Sequence, residues 1–270
     1  MDSFTDKDYR FLCEYIHDKL GIDMDDKKRE TVASKINRLV VRHGMSSYKE
    51  YVDMLCRSQN NHEIQQEFFD EITTNTTEFF REAAHFDYIS DNIDLILREN
   101  PRIRRNGEIR VWSAPCSSGE ESVSLAITLN ECLPTGVKIK ILATDISEKM
   151  LRKALNGVYT ENECRDMPRE YAKKYMSLLK NGNYSVSPYI KSCISYRHFN
   201  LMDDFNFNYG FDIVFCRNLM IYQNSAVQQN LIDKFYENIV AGGLFFIGHS
   251  ESMLNKKHSF SFVSNAIYQK

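Results

Sequence analysis

The sequence predicts an α/β protein in which an all-helical domain precedes a domain built on a parallel sheet. Apolar residues recur at the three- and four-residue spacing of helices from the N-terminus to about Asn100. After Gly107, short apolar runs alternate with helical stretches, which is typical of βαβ units with parallel strands. A chain of 270 residues, 43% of them hydrophobic, can form one principal domain and a smaller companion.

The first helix is predicted from its end signals. Thr5 can cap it, Asp8 lies three residues later as in a capping box, and Phe4 can pack against Tyr9 as a hydrophobic staple. Gly21 is typical of a helix end. The opening segment is therefore predicted to be helical up to Gly21.

Two further helices complete a predicted N-terminal domain of residues 1–72. The second helix closes at Gly44, and the third follows the capping candidates Ser46 and Ser47. The apolar face of the second helix consists of Val32, Ile36, Leu39 and Val40.

Residues 73–106 are predicted to connect the two domains and to contribute to the site. Their pattern is mostly helical, but residues 73–77 read Thr-Thr-Asn-Thr-Thr. Such side chains favour caps and loops over helix interiors. We therefore expect a junction between helical segments there.

Residues 107–270 are predicted to contain the sheet. The expected strands are residues 109–114, 139–143, 194–199, 211–216 and 244–247, with helices at residues 125–132, 150–155 and about 226–240. Residues 260–263 and 266–268 predict a closing hairpin. The turn-type pairs Asn181-Gly182 and Ser187-Pro188 predict a small β insertion at about residues 181–195.

The composition excludes several classes of protein. A formal net charge of −3 gives no basic excess, so we expect no nucleic acid partner. The N-terminus lacks a signal-peptide pattern, and no window approaches the roughly 18 apolar residues of a membrane span, so we expect a cytoplasmic protein without membrane insertion. Seven scattered cysteines without a C-x-x-C pair predict reduced thiols and no metal site.

The turn at residues 114–121 follows the first strand and leads into a helix, where open α/β sheets bind nucleotide-like ligands. It holds a single glycine and two acidic residues, Glu120 and Glu121, which disfavours a pyrophosphate. S-adenosylmethionine has no phosphate and carries an ammonium and a sulfonium, which suit an acidic helix start. Alternatively, the two carboxylates only stabilise the helix dipole.

Asp145 ends the second predicted strand. A carboxylate there can accept hydrogen bonds from both ribose hydroxyls of an adenosine. The alternative is a helix cap before Ser147.

Six motifs, in order along nearly the whole chain, resemble those of the chemotaxis receptor methyltransferases of the CheR family. They are TTNTTEFFRE (residues 73–82), VWSAPCSSGEE (111–121), ATDIS with KALNGVY (143–147 and 153–159), FNLMD (199–203), FDIVFCRNLMIY (211–222) and GHSES (248–252).

The resemblance implies the class I S-adenosylmethionine-dependent methyltransferase fold, with a mostly parallel seven-stranded sheet, an N-terminal helical domain and a small inserted β subdomain. It implies methylation of glutamate side chains on chemoreceptors, with S-adenosyl-L-homocysteine as the other product. The implied cofactor-binding residues are Asn75, Thr77, Arg81, Glu120, Asp145, Asn200, Leu201, Arg217 and Asn218.

Arg81 and Tyr222 are implied to lie nearest the transferred methyl group. Their roles are not separable by sequence: Arg81 can orient the acceptor or hold the carboxylate of the cofactor, and Tyr222 can position the acceptor. The alternatives are an ion pair of Arg81 with Glu78 and a core position for Tyr222. His249 is expected to be structural.

Two departures from the family pattern are visible. Ser122-Val123 stands where the family usually has Pro-Tyr, and Gln223 stands where it has Phe. They change the expected packing of the pocket wall and leave the polar ligands intact. The sequence does not indicate how they change the rate of methyl transfer.

The second helix carries a basic cluster. Lys28, Lys35 and Arg42 recur every seven residues, with Arg38 between them, so they share one face. In the resembled family a basic N-terminal helix is thought to face the acidic receptor bundle, and we expect the same docking here. The alternative is a solvated face. We expect the protein to be a monomer.

Two other functions stay open on the sequence. A nucleic acid methyltransferase on this fold would commonly carry an Asn/Asp-Pro-Pro-aromatic motif after the fourth strand to hold a flipped base, whereas residues 216–219 read Cys-Arg-Asn-Leu. A regulatory module that senses the cofactor without catalysis would not need the intact site residues. The sequence does not identify the receptor, its glutamates, or whether the β insertion binds a receptor tail peptide.

Overall fold

The computed structural model describes residues 4–58 and 61–270, and the first of its two domains is helical. The helices of this N-terminal part are α1 (Asp6–Leu20), a 3₁₀ helix (Asp26–Lys28), α2 (Arg29–Arg42), α3 (Tyr48–Arg57) and α4 (His62–Ile72). They enclose a separate apolar core with Leu12, Ile16, Ile36 and Phe68 at its centre.

The ends of these helices follow the sequence signals. Thr5 and Asp8 form a reciprocal capping box, and the rings of Phe4 and Tyr9 lie 6.1 Å apart. Gly21 ends α1 in the left-handed conformation at φ 66°. Ser47 caps α3 through its side chain. The predictions for these ends are confirmed.

A non-helical stretch follows Ile72, and three short helices then lead to the sheet. They are α5 (Ala84–Asp91), α6 (Ile93–Glu99) and α7 (Pro101–Asn106). Phe86, Ile89, Ile96 and Leu97 from these helices are buried in the main core. The connecting segment is therefore part of the layer that covers one face of the sheet.

The second domain contains a seven-stranded sheet and a three-stranded sheet. Its strands are β1 (Glu108–Ser113), β2 (Lys138–Asp145), β3 (Val158–Tyr159), β4 (Met176–Leu178), β5 (Tyr184–Val186), β6 (Ile194–His198), β7 (Phe211–Cys216), β8 (Ile239–Ile247), β9 (Ser261–Ser264) and β10 (Ile267–Gln269). Its helices are α8 (Glu120–Cys132), α9 (Glu148–Asn156), α10 (Arg169–Tyr175), α11 (Pro188–Ser192), a 3₁₀ helix (Met220–Tyr222) and α12 (Ser225–Asn238).

The large sheet has the strand order β6-β2-β1-β7-β8-β10-β9. Strands β6, β2, β1, β7 and β8 pair in parallel, and β10 pairs antiparallel with both β8 and β9. The mostly parallel seven-stranded sheet and the closing hairpin are confirmed. The class I methyltransferase fold that the resemblance implies therefore describes this domain.

The small antiparallel sheet begins earlier than predicted. It pairs β5 with both β3 and β4, so it draws on residues 158–186. Of the predicted insertion at about residues 181–195, β5 alone belongs to this sheet, whereas α11 follows it and Ile194 already starts a strand of the large sheet. The observed boundary differs because β3 and β4 are only two and three residues long, and Asn181-Gly182 lies in the connection between β4 and β5, so this turn signal falls inside the small sheet and not at its start.

The core beneath the sheet is aromatic. Trp112 on β1 is fully buried, and its ring centroid lies 4.8–5.1 Å from those of Phe205, Phe207, Phe211 and Phe235. Every residue of β7 is buried, as expected for a central parallel strand. The carboxyl ends of β1 and β7 are therefore held rigidly.

In the part of the chain that the structure describes, no helix combines the length and apolar character needed to cross a membrane. All seven cysteines are free thiols.

Asp212 ties the connecting helices to the sheet from a fully buried position on β7. Its carboxylate accepts hydrogen bonds from Asn100 Nδ2 at 2.7 Å, from the Arg102 guanidinium and from Arg110 N–H at 2.7 Å. Removing one partner of such a buried charged network is costly because the other charge is left uncompensated.

We expect Asp212→Ala to lower the free energy of unfolding by about 3–5 kcal/mol, since Arg102 would lose its buried counter-ion. Urea denaturation measures this change. Glu99→Ala, which removes an exposed partner of Arg98, is the control and should leave the midpoint nearly unchanged. Equal midpoints for both variants would contradict the assigned role of Asp212.

Candidate active site

A cavity lies where the carboxyl ends of the parallel strands face the N-terminal domain, and we call it the interdomain cavity. Its walls come from the turns after β1, β2, β6 and β7, from residues 72–78 with Arg81, and from residues of α1, α2 and the segment between them. The carboxyl ends of parallel strands are where open α/β sheets bind ligands. The cavity is therefore the candidate site.

Most of the predicted cofactor-binding residues line this cavity. They are Asn75, Thr77, Arg81, Asp145, Asn200, Leu201, Arg217 and Asn218, and Tyr222 joins them. Glu120 does not, and the neighbouring Glu121 does.

The loop at residues 73–82 is fastened to the sheet at its start. Asn75 accepts a hydrogen bond at its carbonyl from Ser117 Oγ at 3.0 Å, and its side chain donates to Thr73 Oγ1 at 3.1 Å. Arg81 donates to the carbonyl of Thr76 at 3.0 Å. No Arg81–Glu78 ion pair forms within the described residues, so that alternative is not supported.

Arg217 is the centre of the charged part of the site. Its side chain is 2% exposed and lies directly after β7. The guanidinium donates to Glu121 Oε2 at 3.2 Å, to the Arg81 carbonyl at 2.5 Å and to Glu82 Oε2, at 3.3 Å from Nε and 3.0 Å from Nη2. One buried cation therefore joins the connecting loop, α8 and the sheet.

Arg217 also sets the charge of its two carboxylate partners. Burial alone would raise the pKa of Glu82, but the charge of Arg217 and the hydrogen bonds from the His249 N–H and from Arg217 lower it. For Glu121, burial outweighs Arg217 and the hydrogen bond from Ser113, and its pKa is raised. Glu82 therefore has the lower pKa of the two and stays ionised to a lower pH than Glu121.

Asp145 is buried at the end of β2 and faces the same cavity. Oδ2 accepts from the Ser117 N–H at 2.7 Å, and Oδ1 accepts from the Ser147 N–H at 2.9 Å. Burial raises its pKa against these backbone hydrogen bonds. Ser147 is itself the N-cap of α9, so Asp145 is not needed as the cap. Each oxygen of an ionised carboxylate has a second lone pair for a ligand.

Glu120 lies apart from the other predicted cofactor-binding residues. Its two carboxylate oxygens share the hydroxyl proton of Ser118, with Oγ at 2.7 and 3.0 Å, beside Tyr159, and Glu120 is not among the residues that line the cavity. Successive helix residues point about 100° apart, so only one of the two glutamates can face the cavity. The sequence contained Glu121 but gave no means of choosing between them.

Asn200 and Asn218 are held by the protein itself. Asn200 donates to the Lys19 carbonyl at 2.8 Å and accepts from the Met202 N–H at 3.0 Å. Asn218 adopts a positive φ of 58°, and a Cβ at Gly248 would lie 2.6 Å from its Nδ2. Gly248 is thus required for the close approach of the GHSES turn to the end of β7.

Tyr222 is half-buried at the cavity wall, so it is not the core aromatic that was the alternative. Its carbonyl accepts from the Asp23 N–H at 2.8 Å, and Gln223 pairs with Ile22 in an antiparallel bridge. The Lys28 ammonium lies 5.4 Å from the centroid of its ring. The segment after α1 therefore positions Tyr222 from the N-terminal domain.

The basic residues of the second helix make contacts within the protein that the sequence did not indicate. Lys35 donates to the carbonyls of Ile72 and Thr73, at 2.8 and 2.9 Å, and lines the cavity together with Lys28. Arg38 and Arg42 pair with acidic residues of α4, Arg38 with Glu71 and Arg42 with Glu67. The sequence did not indicate these contacts because the partners lie 25–38 residues away along the chain.

His249 contributes its backbone N–H to Glu82, and its ring packs against that of His85 at 4.7 Å. Burial, and then the charge of Arg217, lower the pKa of His85 to about 3. Glu82, His85 and His249 could together offer three ligand atoms to a cation, but Glu82 is already paired with Arg217. The arrangement suits a structural role for both histidines.

Two family models match consecutive parts of the chain. Residues 75–269 match the family model "CheR methyltransferase, SAM binding domain", and residues 7–73 match "CheR methyltransferase, all-alpha domain". The chain is 35% identical over 263 residues to a chemotaxis protein methyltransferase of Borreliella burgdorferi, covering 96% of this chain and 92% of the relative. It is 34% identical over 271 residues to one of Salmonella typhimurium, covering 98% and 91%.

We expect Asp145→Ala to lower the affinity for S-adenosylhomocysteine at least tenfold, because two hydrogen bonds to a charged acceptor, each worth about 1.5–3 kcal/mol, would be lost. Isothermal calorimetry measures the affinity. Ser147→Ala removes the cap of α9 but no cavity side chain, so it should cost stability and leave the affinity unchanged. Equal affinities of wild type and Asp145→Ala would show that this carboxylate only orders the turn.

Proposed function

The chain belongs to the CheR family of chemotaxis methyltransferases, and on this basis we propose that it methylates glutamate side-chain carboxylates of bacterial chemoreceptors to give methyl esters. The observation that carries the proposal is the match of two consecutive family domains along nearly the whole chain. The relatives at about a third identity support it, because they are named chemotaxis protein methyltransferases.

The polar groups of the interdomain cavity fit S-adenosylmethionine. Asp145 offers acceptors for ribose hydroxyls, Glu121 offers an anion for an ammonium, and Arg81 and Arg217 offer cations for a carboxylate. The acidic first turn of α8 does not favour phosphate, which this cofactor lacks. We therefore propose that these residues hold the cofactor together with Asn75, Thr77, Glu120, Asn200, Leu201 and Asn218. Glu121 is added to the predicted set because it lines the cavity.

When bound, S-adenosylmethionine supplies an electrophilic methyl group on a sulfonium. A glutamate acceptor with a pKa of about 4.3 is already ionised at neutral pH, so the protein needs no general base. Its tasks are to align the acceptor oxygen and to keep water away. Arg81 and Tyr222 are the proposed catalytic residues, since a guanidinium and a phenol can hold a carboxylate by hydrogen bonds.

Lys28 and Lys35 favour an anionic acceptor at the cavity. Both ammonium groups line it, Lys28 beside the ring of Tyr222 and Lys35 at the end of α4. Burial lowers the pKa of Lys35, against the opposing charge of Glu71. Two cations at the cavity wall, of which Lys28 lies beside Tyr222, would attract an incoming carboxylate and repel a cationic acceptor.

Receptor docking is proposed for the part of α2 outside the cavity. Arg38 and Arg42 pair with α4, yet their side chains stay 55% and 52% exposed, so each guanidinium has donors left for a second acidic partner. An acidic helical bundle is the partner that such a surface fits. The docking role therefore rests on these two arginines, with Lys28 and Lys35 assigned to the cavity.

We expect methyl label transferred to receptor to be a carboxyl ester. The protein would be incubated with labelled S-adenosylmethionine and receptor-containing membranes, and the labelled receptor treated with mild base. Release of the label as methanol is the expected result, because esters hydrolyse under these conditions. Base-stable label would indicate nitrogen methylation instead, and label on nucleic acid would support the other class of methyltransferase.

We expect the double change Arg38→Gln with Arg42→Gln to reduce the initial rate of receptor methylation several-fold at low salt and to leave cofactor affinity unchanged. The loss should shrink between 0.01 and 0.15 M salt, where the screening length falls from about 30 to about 8 Å. Arg104→Gln with Arg105→Gln, two exposed residues of α7, removes the same charge elsewhere and is the control. Equal rates for both double variants at both salt concentrations would remove α2 from the docking surface.

A further inference from the structure

The side-chain amide of Gln223 is buried at the cavity wall without a protein partner. The residue is 7% exposed, and neither Oε1 nor Nε2 makes a hydrogen bond within the described residues. An unpaired buried amide costs free energy, so such a group in a native protein calls for an explanation. Gln223 also stands where the family pattern has Phe, so the explanation concerns this chain in particular.

The backbone around Gln223 fixes where the side chain can reach. Its N–H donates to the Met220 carbonyl at 3.0 Å, its carbonyl accepts from Gln228 Nε2 at 3.0 Å, and its chain pairs with Ile22. The last turn of α1, just before Ile22, holds Asn200 through the Lys19 carbonyl. Gln223 and Asn200 both line the cavity and both contact the chain between Lys19 and Ile22.

The other amides of the cavity wall are already engaged. Asn75 donates to Thr73, Asn200 bonds to Lys19 and Met202, and Asn218 donates weakly to Glu82 at 3.5 Å. Among the described residues that line the cavity, Gln223 has the amide with both functions free. It is the side chain best able to recognise a neutral group with one donor and one acceptor.

The charged and hydroxyl parts of the cofactor have other partners. Asp145 suits the ribose, and Glu121, Arg81 and Arg217 suit the amino acid end. The remaining polar part is the adenine ring, whose exocyclic amine and adjacent ring nitrogen form a donor–acceptor edge that a glutamine amide matches in two hydrogen bonds. Deep burial favours the cofactor over the acceptor, which must enter from the surface.

We propose that Gln223 recognises the adenine edge of S-adenosylmethionine and so determines cofactor specificity in this chain. The inference rests on cofactor binding and not on the identity of the methyl acceptor.

The test compares wild type with Gln223→Met, which keeps the volume and removes the amide. Calorimetry would measure the affinity for S-adenosylhomocysteine and for its analogue with hydrogen in place of the 6-amino group. We expect Gln223→Met to bind S-adenosylhomocysteine about tenfold more weakly than wild type. Wild type should bind the analogue about three- to tenfold more weakly than S-adenosylhomocysteine. The variant should bind both compounds with nearly equal affinity, since the contact with the amine is already absent.

Thermal unfolding separates this role from a structural one. Free Gln223→Met should be at least as stable as wild type, because an unpaired buried amide is removed, while its stabilisation by S-adenosylhomocysteine should be smaller. Gln229→Met, the same change on the outer part of α12, is the control and should leave both affinities unchanged. Gln223→Leu provides a second variant if the methionine variant does not fold.

Three results would overturn the proposal. Unchanged affinity of Gln223→Met for S-adenosylhomocysteine would show that the amide does not contact the cofactor, and a raised KM for receptor with that affinity intact would assign it to the acceptor. If wild type and variant lose the same factor in affinity on changing to the analogue, the Gln223 amide does not contact the 6-amino group. Failure of wild type to bind S-adenosylhomocysteine would instead refute the cofactor assignment itself.

Discussion

The site depends on one buried guanidinium. Arg217 sits at the end of a fully buried strand and bonds to Glu82, Glu121 and the Arg81 carbonyl, which come from separate elements. A buried cation needs such partners, because its desolvation is only offset by good geometry and complete hydrogen bonding. The carboxylates in turn fix the loop that carries Arg81 and the start of α8. The charged half of the cavity is thus one network.

The neutral half of the cavity is organised by backbone contacts from the N-terminal domain. The end of α1 holds Asn200 through the Lys19 carbonyl, and the chain after α1 pairs with Gln223 and bonds to the Tyr222 carbonyl through Asp23. Elsewhere Gln66 donates to the Ile146 carbonyl at 2.7 Å, beside Asp145. Both ends of the cavity are therefore shaped by contacts between domains, and small changes at this boundary would alter the positions of polar groups on the sheet side.

Local signals predicted the fold well, whereas side-chain partners needed three-dimensional information. The capping box at Thr5 and the cap at Ser47 depend on residues within one turn, and the sequence contains all of them. The choice between Glu120 and Glu121 depends on the rotation of α8 against the sheet, which no local pattern records. The partners of Lys35 lie at the end of another helix. The spacing of the basic residues therefore predicted that they share a face, but not that Lys35 is bonded to that helix end. Motif resemblance supplied most of the site because it carries that missing spatial information.

The bridge between Ile22 and Gln223 bears on how separable the two domains are. A fragment beginning at residue 75 would contain the whole segment that matches the cofactor-binding family model. It would nevertheless lack the Lys19 carbonyl that orients Asn200, Ile22 that pairs with Gln223, and Lys28 that packs on the ring of Tyr222. The proposed cofactor site therefore draws on both domains, and insertions or deletions between α1 and α2 would disturb the positions of Asn200, Tyr222 and Gln223.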